Sequence, residues 1–480
     1  MKKPSLLLMA MTKTQHRLAW SLLLLTASLC LTAANFVRES SAQTAAARPN
    51  IVLFVADDLG IWDTAPYGNK VVRTPHLDQL AKDSLRFTRA FANSPTCVPS
   101  RAVLYSGLQP IRNGAYVNHS QCRTDIRTLP HYFGELGYRV AQAGKQHFAP
   151  KSVFPFERVA NSETPEPGFE KKPGLNTDLN TAAVDGWLAG VGKDKPFFLV
   201  VADHSPHVVW PERAEYKPEE VDIPPTHIDT PEYRRARARY YTDVTKMDTN
   251  VGRVLESLKR HGFTENTIFV FTSDQGPQWP FAKWNVYDAG LRAPLLVRWP
   301  GRVKPGVTEA MVSHVDLLPT LIEAVGGKIP AGLDGQSYLQ VLEDKARSHA
   351  QYVFALHTQD GVMNRTPQRS VRTVRYKYIL NLSPEIEYTT HIDKATDHDG
   401  GREYWPSWEA KAKTDPRAAE IIRRYHQRPR EEFYDVVADP HETRNLIADP
   451  KHAHTINELR ARLAAWRKQQ GDDKTGPEPR

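Results

Sequence analysis

Short apolar runs recur along the chain, and most of the clearest runs are followed directly by polar residues. A run of about six β-branched and apolar residues is typical of a strand that is buried on both faces. The strongest runs cover residues 51–56, 138–143, 197–202, 267–273 and 294–299. They predict an α/β fold with a large, mostly parallel central sheet that is flanked by helices.

Between these runs, apolar residues recur with the spacing of helices. The longest such segment, residues 232–261, places its apolar side chains on one stripe. Shorter helices are predicted at residues 129–136, 182–188 and 316–325. A further helix is predicted to begin at Cys97, because Pro99 suits a first turn and Gly107 suits a C-terminal stop.

The pattern changes from about residue 345. Residues 371–382 alternate basic and apolar side chains, which is typical of antiparallel strands with one solvent-exposed face. Residues 432–437 predict another strand, residues 439–446 a turn and a helix start, and residues 451–469 an amphipathic helix. We therefore expect a main domain in residues 46–345 and a smaller C-terminal α+β domain, built on an antiparallel sheet, in residues 346–480.

The first 45 residues differ from the rest of the chain. Basic residues precede an apolar stretch at residues 18–34, and small residues follow it. This order is typical of a secretory signal peptide, and a stretch of about 17 residues is short for a membrane anchor. We expect residues 1–45 to be a signal peptide and leader, and we expect no stable membrane insertion.

The composition narrows the class of partner. The 480 residues carry a net charge of +8. Residues 1–45 hold five basic residues and one acidic residue, so the mature chain is only mildly basic. That charge suits an anionic substrate and falls short of a nucleic-acid-binding signature. Cys97 and Cys122 are the cysteines that remain after Cys30 leaves with the signal peptide, so no disulfide framework is expected.

Polar side chains follow four of the predicted strands at the point where each strand ends. The carboxyl ends of parallel strands meet at one edge of a sheet, where open α/β folds bind their ligands. Adjacent aspartates at such an edge suit a hard divalent cation, although Asp also favours helix caps and solvated turns. The candidate residues are Asp57 and Asp58, Lys145 and His147, His204 and His207, and Asp274 with Gln275.

A short motif at the start of the Cys97 helix carries a resemblance to a known family. Cys97, Pro99, Ser100 and Arg101 form a Cys-x-Pro-Ser-Arg sequence, in which sulfatases oxidise the cysteine to formylglycine. From about residue 48 to residue 466 the chain resembles the formylglycine-dependent sulfatases of the alkaline phosphatase superfamily. Within that family it is most similar to the heparan N-sulfatases, or sulfamidases. The matching stretches are residues 74–78, 196–199, 271–274, 293–297, 369–371 and 439–446.

The resemblance implies a role for each candidate. Asp57, Asp58, Asp274 and Gln275 would hold one Ca²⁺, and Cys97, as formylglycine hydrate, would complete the metal shell and act as nucleophile. Arg101 would orient the hydrate, and Lys145 and Lys283 would bind the sulfate oxygens. His147 would assist breakdown of the hydrate, His204 would protonate the leaving atom, and His207 would contact the substrate. Two residues depart from the pattern, because the family usually has Asn at Gln275 and sulfamidases tend to have Arg at Lys283.

The implied activity is that of an exported sulfatase with an alkaline-phosphatase-like fold. Its substrate would be a sulfated saccharide, with the N-sulfo group of glucosamine in heparan sulfate or heparin fragments preferred. A formylglycine-generating enzyme would mature it, the resemblance allows a homodimer, and no nucleic acid is expected as partner. The signal peptide favours the bacterial periplasm or secretion, or the lysosome in a eukaryote. The alternatives are an O-sulfatase on iduronate 2-sulfate or glucosamine 6-sulfate, a phosphoester hydrolase, and a non-catalytic glycan-binding relative.

Overall fold

The computed structural model describes residues 48–165, 177–360, 364–394 and 403–472. The signal peptide predicted in residues 1–45 lies outside the described residues and stays a prediction. No helix in the described ranges is long and apolar enough to span a membrane.

A large mixed sheet forms the centre of the described residues. It has eight strands in the order β10-β2-β9-β8-β1-β7-β3-β4. Strand β9 runs antiparallel to β2 and β8, and the other neighbouring pairs are parallel. The predicted large, mostly parallel sheet is therefore confirmed. The strands are β1 (Asn50–Ala56), β2 (Leu85–Phe91), β3 (Arg139–Gly144), β4 (Glu157–Arg158), β5 (Glu163–Pro165), β6 (Thr177–Leu179), β7 (Phe197–Ala202), β8 (Thr267–Ser273), β9 (Arg292–Arg298), β10 (Gly306–Ser313), β11 (Val353–His357), β12 (Gln368–Arg372), β13 (Tyr376–Asn381) and β14 (Glu431–Asp435).

The central strands are apolar on both faces because helices cover both faces. Alternate residues of a strand point to opposite sides, so Val52 and Phe54 of β1 join one core, and Leu53 and Val55 join the other. The 30-residue helix Pro231–Arg260 packs its buried stripe into the first core. The helix bounds are Pro75–Lys82, Cys97–Ser106, Pro110–Asn113, Leu129–Glu135, Thr181–Gly190, Pro231–Arg260, Asp288–Leu291, Leu317–Ala324, Leu339–Leu342, His391–Lys394, Trp405–Ala412, Pro416–His426 and Ala453–Gln470.

A second, antiparallel sheet follows in the chain, with strand order β11-β12-β13-β14. The terminal helix Ala453–Gln470 packs against it, and Trp466 stacks on Phe354 with ring centroids 5.0 Å apart. This confirms the predicted antiparallel sheet and terminal helix. The domain boundary at residue 345 stays a prediction.

The sequence interpretation of residues 439–446 is partly wrong. They form turns, as predicted, but no helix starts there, and the next α-helix begins at Ala453. The segment is held instead by the buried carboxylate of Glu442, which accepts from the backbone N–H of Asp288 at 2.6 Å and lies 2.8 Å from Lys377 Nζ. Lys377 Nζ is also 2.6 Å from Asp288 Oδ1. A buried ionic link thus joins the second sheet to the segment that follows β8.

Gly144, at the end of β3, offers a test of how closely the central strands pack. Its backbone has φ +75°, and a Cβ atom there would overlap the carbonyl oxygen of Ala202 in β7. We expect Gly144→Ala to destabilise the protein by about 1–3 kcal/mol, since both the backbone and the added atom are strained. Denaturant unfolding followed by fluorescence measures the change. Gly134→Ala is the matched control, because Gly134 has no such neighbour within 4 Å. Equal stability of the two variants would contradict this account of the strand edge.

Candidate active site

The four strands that end in candidate residues are neighbours in the sheet, in the order β8-β1-β7-β3. Strand β1 leads into Asp57 and Asp58, and β8 leads into Asp274 and Gln275. Backbone pairing continues past the strands, because the N–H of Asp274 donates to the carbonyl of Ala56 at 3.0 Å. The sheet therefore brings the aspartates from two distant parts of the sequence together.

Cys97 stands at the first position of its helix, Cys97–Ser106, as predicted, and Gly107 ends the helix in a left-handed conformation. Its Sγ atom lies 3.7 Å from Asp57 Oδ1 and 3.3 Å from Gln275 Nε2. The side-chain oxygen of Asn118 accepts from the backbone N–H of Val98 at 3.1 Å, which satisfies one of the free N–H groups of the first turn. Cys97 is thus fixed against the carboxylates.

Three fully buried carboxylates, those of Asp57, Asp58 and Asp274, form what we call the carboxylate cluster. Each carboxylate contacts a cationic side chain. Lys145 pairs with Asp57, Lys283 Nζ lies 2.7 Å from Asp58 Oδ2, and the Arg101 guanidinium lies 2.9 Å from Asp274 Oδ2. Arg101 also reaches Asp57 at 3.4 Å. Each of the three carboxylates thus has a cationic side chain in direct contact.

The pKa values of the buried groups shift in different directions. Although burial acts against ionisation, Lys145 and its other cationic neighbours hold the pKa of Asp57 well below its usual range. Burial and the charge of Asp57 raise the pKa of Asp274. Burial also raises the pKa of the Cys97 thiol. An unmodified Cys97 is therefore protonated near neutral pH and is a weak nucleophile.

The donor set fits a hard divalent cation. Two groups of side chains each bring three ligand atoms within 4.8 Å of one another. The first group is Asp57, Cys97 and Asp274, and the second is Asp58, Cys97 and His207. Gln275 Oε1 is buried and has no hydrogen-bond partner among the described residues. Carboxylate and amide oxygens are the ligands that Ca²⁺ prefers, whereas a thiol is a soft ligand. The Cys97 sulfur and the His207 nitrogen are the members of these groups that do not suit calcium.

The two histidines after β7 have different surroundings. His207 Nε2 lies 3.2 Å from Lys283 Nζ and 3.6 Å from Asp58 Oδ2, so this ring touches the cluster. Burial and the charge of Lys283 lower the pKa of His207 well below its ordinary value. His204 Nε2 instead lies 2.7 Å from Oε1 of Glu163 in β5. Despite its burial, Glu163 has a lowered pKa because His204 and Arg158 donate to it.

His147, after β3, has a half-buried ring that contacts His119. Burial and Lys145 lower its pKa well below the ordinary value. His119 in turn lies 3.2 Å from Asp360 Oδ1. Sequence reasoning did not select Glu163, His119 or Asp360 for the site, since none of the three stands at the end of a predicted strand or in a motif that indicates catalysis.

Comparisons with known proteins identify the family of the chain. The sulfatase family model matches residues 49–327, and the family model described as N-sulphoglucosamine sulphohydrolase, C-terminal, matches residues 277–404. The chain is 33% identical to N-sulphoglucosamine sulphohydrolase of Homo sapiens over 464 residues, which cover 88% of this chain and 90% of that protein. It is 32% identical to an ulvan-active sulfatase of Formosa agariphila over 432 residues, which cover 88% and 81% of the two proteins.

A solved structure has the same fold. It is that of a protein in complex with its substrate D-glucosamine-2-N,6-O-disulfate, with a TM-score of 0.67 and 21% sequence identity. The match covers 90% of this chain and 100% of that chain.

We expect Ca²⁺ binding to release a proton and to strengthen as pH rises. We expect the cation to need the ionised Asp274 carboxylate, whose pKa is raised by burial and by the charge of Asp57. Affinity should therefore be higher at about pH 8 than at about pH 6. Isothermal titration calorimetry in two buffers of different ionisation enthalpy measures both the affinity and the proton release.

Two variants control this measurement. Asp274→Asn should weaken binding and remove the proton release, whereas Asp83→Asn, at an exposed helix end, should behave as the wild type. An affinity that falls as pH rises would contradict the cation site.

Proposed function

The chain belongs to the sulfatase family, and from that premise we propose that it removes the N-sulfo group of glucosamine in heparan sulfate or heparin fragments. The observation that carries sulfate chemistry is the buried Cys97 beside three carboxylates and two lysines. The N-sulfo preference is supported by the C-terminal family match over residues 277–404 and by the human relative.

The residues of the site fit both a Ca²⁺ ion and a formylglycine hydrate. A Ca²⁺ held by Asp57, Asp58, Asp274 and Gln275, together with a formylglycine hydrate at Cys97, would supply positive charge and a nucleophilic hydroxyl. Burial raises the pKa of the Cys97 thiol, so the unmodified side chain is a weak nucleophile, and the nucleophilic hydroxyl would have to come from the hydrate. The hydroxyls of the hydrate are also hard oxygen donors, which the thiol is not.

Lys145 and Lys283 are placed to hold the sulfuryl oxygens. Their ammonium groups pair with Asp57 and Asp58. A divalent cation held by those carboxylates would supply further positive charge, and Lys145 and Lys283 lie beside it, where they can bind an anionic ligand. The sulfuryl group spreads negative charge over its oxygens in the transition state, so fixed cations stabilise it. Arg101 contacts Asp274 and thereby holds this carboxylate in place next to Cys97.

We assign the proton transfers of the proposed reaction to histidines. We assign His204 as the donor to the leaving nitrogen, because the anionic Glu163 can hold its protonated ring by a charge-assisted hydrogen bond. His207 is assigned to substrate binding through Lys283, since its lowered pKa keeps it neutral and its Nε2 can accept from that lysine. His147 is assigned as the proton acceptor beside the nucleophile.

We further propose the setting of the enzyme. Residues 1–45 direct export to the bacterial periplasm or medium, or to the lysosome in a eukaryote. A formylglycine-generating enzyme matures Cys97, residue 345 divides the catalytic domain from the C-terminal domain, and the resemblance allows a homodimer.

An O-sulfatase activity is the second candidate. The ulvan-active relative is almost as similar in sequence as the human N-sulphoglucosamine sulphohydrolase. Lys283 also stands where sulfamidases tend to have Arg, and a lysine is a point charge that suits sulfate in general rather than one bidentate geometry.

Sulfate release separates the two candidates. The enzyme, co-expressed with a formylglycine-generating partner and supplied with Ca²⁺, is incubated with N-sulfoglucosamine or with N-acetylglucosamine 6-sulfate, and ion chromatography detects the product. We expect release only from N-sulfoglucosamine, and none from Cys97→Ala. Release only from the 6-sulfate would exclude the N-sulfo preference and keep the sulfatase. No release from either, with Cys97 conversion verified by mass spectrometry, would exclude both substrates.

The choice of proton donor is tested with leaving groups of different basicity. A sugar amine needs protonation, whereas 4-nitrophenolate leaves without it, so loss of the donor should affect the two substrates unequally. We expect His204→Ala to lower kcat on N-sulfoglucosamine by about 100-fold or more while 4-nitrophenyl sulfate is hydrolysed at nearly the wild-type rate. His207→Ala should slow both substrates to a similar degree, because it weakens the placement of Lys283. The reverse pattern would assign the proton to His207.

A further inference from the structure

Another buried carboxylate, that of Asp360, lies outside the carboxylate cluster and has three side-chain contacts. Asn118 Nδ2 donates to its Oδ1 at 2.9 Å, and Trp284 Nε1 donates to its Oδ2 at 2.5 Å. His119 Nε2 lies 3.2 Å from Oδ1. Despite its burial, Asp360 has a lowered pKa because His119 and Trp284 donate to it, so the group is a carboxylate.

The contacts of Asp360 fix the direction of a hydrogen-bond chain. A carboxylate can only accept, so His119 Nε2 must carry the hydrogen that faces it. Asn118 Nδ2, which donates one hydrogen to this carboxylate, also lies 3.2 Å from His119 Nε2, but a lone pair on Nε2 would face the anionic Asp360 oxygen at 3.2 Å and be repelled by it. A neutral His119 therefore has its lone pair on Nδ1.

The chain ends at His147. His119 Nδ1 lies 3.1 Å from His147 Nε2, so His147 must donate there. The lone pair of a neutral His147 is then on Nδ1. That nitrogen is buried and has no hydrogen-bond partner among the described residues. The charged groups that act on the ring besides His119 are Lys145, Asp57 and Arg101, which all belong to the proposed site.

The backbone at these histidines is unusual. His119 has φ +64° and His147 has φ +38°, in the left-handed region that side chains other than glycine seldom adopt. Such strain persists where the surrounding structure enforces it, and it concentrates at functional sites. The side chain of His119 is 59% exposed, so packing of its ring gives little stability in return. The strain instead brings the two rings together, with centroids 5.0 Å apart.

We propose that Asp360 and His119 are positioning residues that hold His147 in its Nε2–H tautomer and keep its Nδ1 lone pair free to accept a proton. This rests on the role proposed for His147 as the proton acceptor. When Nδ1 takes a proton, the Nε2 proton of His147 passes to His119 Nδ1. The positive charge then resides on His119, between the Asp360 carboxylate and solvent. The two histidines together gain one proton, and the added positive charge is on His119, so the step balances.

The kinetic test uses His119 because its exposed side chain can be changed with little risk to folding. We expect His119→Ala to lower kcat by about tenfold or more with KM nearly unchanged, since substrate contacts stay intact while proton acceptance is impaired. His119→Gln should recover most of this loss, because an amide can donate to Asp360 and accept from His147. His454→Ala, exposed on the terminal helix, is the control and should match the wild type. Alanine and glutamine variants with wild-type kcat would overturn the proposal.

A second readout does not depend on turnover. In the Cys97→Ala protein labelled with ¹⁵N-histidine, the ring-nitrogen NMR shifts should assign His147 to the Nε2–H tautomer, and His119→Ala should convert it to a mixture. An Nδ1–H tautomer in the parent protein would overturn the proposal. If the wild type releases no sulfate from any substrate tested, the proposed function fails, while these spectra still decide whether the hydrogen-bond chain exists.

Discussion

The structure depends on the neutralisation of charge in a place that water does not reach. Asp57, Asp58 and Asp274 are fully buried, and an unpaired buried carboxylate costs several kcal/mol. Arg101, Lys145 and Lys283 meet that cost by direct contact. Removing one partner of a buried pair typically destabilises a protein by about 3–5 kcal/mol. The residues assigned to catalysis are therefore also residues that the fold needs.

The second sheet also supports the site through buried ionic contacts. Lys377 and Glu442 form a buried link to Asp288, only five residues beyond Lys283. Trp284, next to Lys283, donates to Asp360 and also bonds through its backbone N–H to the carbonyl of Pro95, at the entrance to the Cys97 helix. Residues of the C-terminal part, namely Asp360, Lys377 and Glu442, thus hold in place the segment that carries Lys283.

The sequence was informative where a single local property decides the outcome. Residues 51–56 and 267–273 are apolar on both faces, so they predicted buried strands, and the polar residues after them identified the edge of the sheet. Strand β2 was missed because Arg86, Thr88 and Arg89 interrupt its apolar pattern, although it pairs with two neighbours. Asp360 could not have been found, because its partner Asn118 is 242 residues away and only the fold brings them together.

The two departures from the family pattern meet at a single carboxylate. Gln275 Nε2 donates to Asp58 Oδ1 at 2.5 Å, and Lys283 Nζ donates to Asp58 Oδ2 at 2.7 Å. An arginine at residue 283 would bring a planar group with five N–H donors to this carboxylate, whereas lysine brings one compact ammonium. Gln275 and Lys283 thus contact the two oxygens of the same carboxylate, while Gln275 Oε1 is buried without a hydrogen-bond partner among the described residues.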